Sequence, residues 1–121
     1  CVLTELPRVD IVYAYAGLRP DLIDATVQVG ARGVVIAGVG AGNMNVAVRA
    51  ACANAVKAGV TVVRSSRTGG GVVERNIEID DDRAGFVVAE ELNPAKARVL
   101  LMLGLSRDLG TSALQKLFTT Y

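Results

Sequence analysis

The 121-residue chain contains no histidine, so neither a serine–histidine–aspartate arrangement nor a histidine-ligated zinc site has the residues it needs. Cysteine is nearly as scarce. Cys1 and Cys52 stand at neither metal-ligand nor redox-pair spacing, and Cys52 reads as a small buried helix residue. An excess of one charge is also missing: 13 basic against 12 acidic residues leave a net charge of +1. With no basic run to follow a phosphate backbone, a nucleic-acid partner is not expected. Although 51% of the residues are apolar, charged or glycine-rich stretches interrupt every apolar segment short of the roughly 18 residues that span a bilayer. No membrane segment is expected. The start, Cys1-Val2-Leu3-Thr4-Glu5-Leu6-Pro7, has neither an initiator methionine nor a charged-then-apolar leader, and reads as cut.

The length suits one domain, residues 1–121, large enough for a real core. Val9 to Ala16 and Gly33 to Gly38 are apolar and rich in β-branched residues, as strands covered on both faces are. Between them Pro20 and Asp21 suit a first helical turn, and that helix is expected to end near Gly30. Met44 to Ala58 is alanine-rich and helical by propensity, Gly59 closes it, and Val60 to Arg64 is a third strand. The polar stretch from Ser65 to Gly71 follows. From Val72 to Asp82 the pattern weakens, before the apolar Gly85-Phe86-Val87-Val88-Ala89. Asn93 as N-cap and Pro94 at the first helical position start a helix through about Leu105. Its apolar residues, Ala97, Val99, Leu100, Leu101, Leu103 and Leu105, cover nearly every face, which predicts a helix buried all round. Thr111 to Phe118 is a last short helix with Leu114, Leu117 and Phe118 on one side. Alternation of strand and helix predicts a three-layer α/β domain on a four-stranded parallel sheet.

Ligands of parallel sheets gather at the C-terminal strand ends, which singles out two loops. Gly38-Val39-Gly40-Ala41-Gly42-Asn43 resembles the start of a dinucleotide fingerprint, with Asn43 in place of the third glycine. Its glycines either shape a turn or bring backbone N–H groups to an anion. Arg64, Ser65, Ser66 and Arg67, after the next strand, suit a 2′-phosphate if the loop binds a dinucleotide. Between Glu74 and Asp82 lie five carboxylates. Such runs are commonly solvated faces, but Glu78, between Ile77 and Ile79, is placed for partial burial, and a carboxylate there suits a substrate ammonium group. No serine or threonine is spaced to a base as an activated nucleophile requires.

Taken together, Leu6 to Tyr13, Gly38 to Asn43, Val62 to Arg67 and Leu92 to Leu101 resemble the C-terminal domain of the bacterial type II L-asparaginases and glutaminase-asparaginases. The resemblance runs to Tyr121 and implies a Rossmann-like domain that binds no nucleotide and needs no cofactor. It implies a parent enzyme that hydrolyses L-asparagine, and to some extent L-glutamine, to the acid and ammonia. In that family the nucleophilic threonine lies on an N-terminal catalytic domain, whose motifs do not occur in this sequence. The family is a homotetramer of close dimers in which the C-terminal domain completes a neighbouring subunit's site. Its loop asparagine falls on Asn43, and its glutamate near the substrate α-amino group, which assists the nucleophile across the subunit boundary, falls on Glu78. Ala41 stands where some members have another asparagine, leaving the preference between the two amides open. A periplasmic or secreted parent is implied, with the cytoplasm not excluded. Two other readings remain: an asparaginase-like subunit of a tRNA-dependent amidotransferase, and a non-catalytic binding or assembly module.

Overall fold

Runs of β-branched residues alternate with helical stretches along the chain, and the computed structural model describes them over residues 6–13, 20–38, 46–66, 85–90 and 92–120. The elements are β1 (Val9–Tyr13), α1 (Asp21–Gln28), β2 (Gly33–Gly38), α2 (Val46–Lys57), β3 (Thr61–Ser66), β4 (Val87–Val88), α3 (Pro94–Ser106) and α4 (Thr111–Thr120). The four strands form one parallel sheet in the order β1-β2-β3-β4. Val9 faces Gly33, Gly33 faces Thr61, and Val63 faces Val87.

All six residues of β2 are buried, which explains its unbroken apolar sequence: a central strand covered on both faces has no polar side to show. Alternation along the strands divides the core. Val34, Ile36, Val62 and Phe86 pack with Ile23 of α1 and with Val48, Cys52 and Ala55 of α2. Val35, Val63 and Val87 pack on the other face with Ala97, Leu101 and Leu105 of α3 and with Leu114 and Phe118 of α4. The result is the expected three-layer α/β domain around a four-stranded parallel sheet. Helices α1 and α2, which join successive strands, lie on one face, as crossovers of a single hand require.

The helix boundaries follow local chemistry. The Pro20 carbonyl accepts the N–H groups of Ile23 and Asp24 at 3.0 and 3.2 Å, and the chain leaves α1 through Gly30, whose φ of 94° is a conformation glycine adopts without steric cost. Asn93 caps α3, its side chain accepting from the Lys96 N–H at 2.9 Å, with Pro94 in the first helical turn.

Two expectations need correction. Strand β3 continues through Ser65 and Ser66, because both pair with β2, opposite Ala37 and Gly38. Helix α3 is not buried all round. Ala97, Leu101, Gly104 and Leu105 face the sheet and α4, whereas Val99 and Leu103 are 53% and 48% exposed. An all-round apolar helix is fully buried only if something covers its outer face, and none of the described residues does so there. The remaining expectations, for Ala14 to Ala16, Met44 and Asn45, and Val72 to Asp82, fall outside the described residues.

Candidate functional site

The C-terminal edge of the sheet departs from the apolar rule of the rest of the core. Among the described residues, the buried polar or charged side chains are Arg64, Ser65 and Ser66, consecutive at the end of β3. Because Val62 packs beneath α1 and α2 and Val63 beneath α3 and α4, alternation places Arg64 and Ser66 on the α1/α2 face and Ser65 on the other. Ser65 Oγ donates to the Leu92 carbonyl at 3.1 Å, tying the end of β3 to the chain entering α3. Alongside, the Ala89 N–H donates to the Arg64 carbonyl at 2.8 Å, and the Leu92 N–H to the Ala89 carbonyl at 3.1 Å. Between them Glu90 sits at φ 58°, a left-handed conformation that costs a side-chain-bearing residue roughly 1–2 kcal/mol and that recurs at functional sites.

Charges of both signs meet at this edge, where Asp21 and Asp24 lie in the first turn of α1. Helices that join parallel strands run antiparallel to them, so α1 and α2 turn their N-termini, at Asp21 and Val46, toward the strand ends, each with the partial positive charge of its first-turn N–H groups. A fully buried guanidinium adds positive charge and requires acceptors around it. Arg64 does engage in polar contact.

Asn43 and Glu78 lie outside the described residues, as do Gly40, Gly42 and Arg67. The chain leaves toward Asn43 from Gly38 and toward Glu78 from Ser66, so both segments depart from this edge. Of the four residues on which the dinucleotide alternative drew, Arg64 and Ser65 have no exposed surface and Ser66 is 4% exposed, and the Ser65 hydroxyl is spent on Leu92.

Four further described hydroxyls are engaged locally and none is an activated nucleophile. Those of Thr26, Ser106, Thr119 and Thr120 donate to backbone carbonyls of their own helices at 2.7–2.8 Å, or 2.9 Å for Thr119. Burial pushes the Cys52 thiol up to about 12, so it is neutral at pH 7. Among the described residues no three His, Cys, Asp or Glu side chains are grouped to hold a metal ion, and no helix is long and apolar enough to cross a membrane. A cavity of about 490 Å³ lies at the opposite sheet edge, lined by Leu6, Arg8, Val29, Arg32 and Asp108 among others. An apolar groove of about 420 Å³ follows the outer face of α3 past Leu92, Ala95, Val99 and Leu103. Sequence reasoning missed the strain at Glu90, for which glutamate gives no signal. It also missed the burial of Arg64, which follows the buried pair Val62 and Val63 in β3 but lies next to serines that read as loop.

Comparison with known proteins agrees with this architecture. Residues 8–118 match the family model of the glutaminase/asparaginase C-terminal domain. L-asparaginase 2 of Bacillus subtilis is 44% identical over 98% of this chain and 31% of its own length. A probable periplasmic L-asparaginase of Haemophilus influenzae is 42% identical, with 98% and 34% covered. A glutaminase-asparaginase of Pseudomonas fluorescens is 38% identical, with 98% and 33% covered. This chain therefore spans about a third of the length of these relatives. A match over nearly all of a parallel α/β domain leads to one assignment: the chain belongs to the glutaminase/asparaginase C-terminal domain family.

Proposed function

We propose that residues 1–121 are the C-terminal α/β domain of an amidohydrolase that converts L-asparagine to L-aspartate and ammonia, with L-glutamine as a second substrate. The observation that carries this reading is the 44% identity, across nearly the whole chain, to a protein named L-asparaginase 2. The name of the Pseudomonas fluorescens relative, glutaminase-asparaginase, supports the second substrate.

The nucleophile belongs to an N-terminal catalytic domain outside this chain. There a threonine hydroxyl attacks the amide carbon, ammonia leaves, and water cleaves the resulting acyl ester to release the acid. No metal or organic cofactor takes part. This chain completes the pocket of a neighbouring subunit in a homotetramer of close dimers: Asn43 orients the site, and Glu78 holds the substrate α-ammonium by a charge-assisted hydrogen bond and assists the nucleophile. Departure of both segments from the ligand-gathering edge of the sheet supports placing the two residues at one site. A periplasmic parent is supported by the name of the Haemophilus influenzae relative.

The test is Glu78→Gln in the protein that carries this chain with its catalytic domain. Loss of a charge-assisted hydrogen bond worth roughly 1.5–3 kcal/mol raises KM and lowers kcat/KM by about 10- to 100-fold. Unchanged kinetics remove Glu78 from the site.

A further inference from the structure

Helix α3 is apolar on both sides, and only one side is used within the described residues. Ala97, Leu101 and Leu105 pack on the sheet, whereas Val99 and Leu103, one turn apart on the outer side, are 53% and 48% exposed. Single exposed apolar residues are ordinary at a protein surface, but this face is continuous. The groove of about 420 Å³ past Leu92, Ala95, Val99 and Leu103 shares Leu100 and Leu103 with a second, of about 280 Å³, that reaches Leu109 and, on α4, Leu117. The charged residues lining the two are Lys96 and Arg107, with no carboxylate among them. A helix that faces water carries charged and polar residues on its outer side. An apolar strip with two cations at its rim instead suits an apolar surface bordered by carboxylates.

Position and charge select the occupant. The matched family is a C-terminal domain, and this chain spans about a third of the length of its relatives, so in those relatives most of the polypeptide precedes the domain. The preceding chain arrives beside the exposed face: Leu6, Pro7 and Arg8 line one cavity with Leu105 and Ser106, the last residues of α3. Ser106 is within one helical turn of Leu103. A second copy of the same face fits less well, because it would bring another Lys96 and Arg107 to the rim of the contact with no lining carboxylate to meet them.

We propose that the outer face of α3 is the docking surface for the upstream catalytic domain of the same polypeptide, which covers Val99 and Leu103 with an apolar surface bordered by carboxylates. This inference rests on the proposed two-domain amidohydrolase reading and adds to it the surface at which the domains meet. Contact there buries apolar area that this domain leaves open and limits the relative motion of the two domains.

The experiment uses the protein that carries this chain with its catalytic domain, with a benzophenone photocrosslinking residue in place of Val99. On irradiation the expected product is intramolecular: it keeps the size of one protomer on a denaturing gel, and its linked peptide comes from the chain upstream of Cys1. Linkage to a second protomer, linkage within residues 1–121, or no linkage overturns the inference. Should the bulky probe disturb folding, the smaller Leu103→Cys carries the test, with Asn54→Cys, at an exposed position of α2, as the reference. Alkylation at 103 in the native protein is expected to be at least about 10-fold slower than at 54, since thiol reactivity follows exposure; equal rates overturn the inference. Ammonia release from L-asparagine is measured on the unaltered protein. Its absence would contradict the amidohydrolase reading, while linkage and labelling alone decide the docking surface.

Discussion

Gln115 of α4 stands where a fifth strand would pair with Val88. Its Oε1 accepts the Val88 N–H at 2.9 Å, and its Nε2 donates to the Val88 carbonyl at 3.1 Å. Among the described strands, β4 is an edge of the sheet. Because the next residue, Ala89, turns its N–H inward to Arg64, alternation leaves the polar groups of Val88 facing outward. One side-chain amide meets both. At the other edge the Val9 carbonyl of β1 accepts from Arg98 Nε at 2.8 Å, so side chains from α4 and α3 cover edge groups that would otherwise invite pairing with another chain.

Gln115→Ala leaves two part-buried backbone groups without their partner and is expected to cost about 1–3 kcal/mol. Gln115→Glu is the sharper test. An ionised carboxylate accepts from the Val88 N–H but opposes the Val88 carbonyl, whereas a protonated one matches both. The folded state therefore holds that proton more tightly than the unfolded chain, where glutamate titrates at about 4.3, and stability falls as the pH rises above that value. Denaturation at pH 4 and pH 7 reads the difference. Equal stabilities at the two pH values, after subtraction of the unaltered protein's own pH dependence, would refute the bidentate role.

Gly104 of α3 lies against α4: a Cβ there meets Leu114 Cδ2. Helix propensity alone predicts that Gly104→Ala stabilises by about 1 kcal/mol, while overpacking predicts a cost of about 1–3 kcal/mol. Leu114 has no exposed surface into which to move, so the overpacking effect is expected to win and the substitution to destabilise. In a Leu114→Ala background the space opens, and the same substitution is expected to become neutral or stabilising. A stabilising effect in the unaltered background would show the helices freer to separate than this packing allows.

Cys52 is fully buried, and burial alone lifts its thiol from 9.0 to about 12. In a Cys1→Ser background, iodoacetamide at pH 8 is expected to leave Cys52 unmodified in the folded protein and to label it after unfolding. Between pH 9 and 12 the unfolded thiol gives up its proton while the folded one keeps it. The stability gained from the raised value is therefore complete below pH 9 and declines above it by up to about 1.4 kcal/mol per pH unit. A Cys52→Ala variant should lack that part of the decline. Rapid labelling in the native state would place the thiol nearer the surface.

Most of the fold was legible because its determinants are local. The β-branched run of β2, the glycine after α1, and the pairing of Asn93 with Pro94 each dictate an element without reference to distant residues. What escaped the sequence depends on the third dimension. Ser65 and Ser66 look like loop residues until their pairing with Ala37 and Gly38 is seen, and the exposure of Val99 and Leu103 depends on what covers α3. The candidate site was less legible from residue types, since Asn43 and Glu78 carry no motif of their own; the resemblance of collinear segments selected them. Arg64 looks like a surface phosphate ligand in the sequence because its place in β3, flanked by β2 and β4, cannot be deduced from the serines that follow it.

The central claim, that this chain completes the site of an amidohydrolase whose nucleophile lies elsewhere, is tested most directly by ammonia release from L-asparagine. The assay is run on this chain alone, on the separately folded catalytic domain, and on the two mixed. The account predicts that neither part alone turns over substrate and that the mixture does, with Glu78→Gln in this chain weakening the restored activity. Turnover by the purified chain alone would contradict the account, as would silence in the mixture with both parts folded and associated.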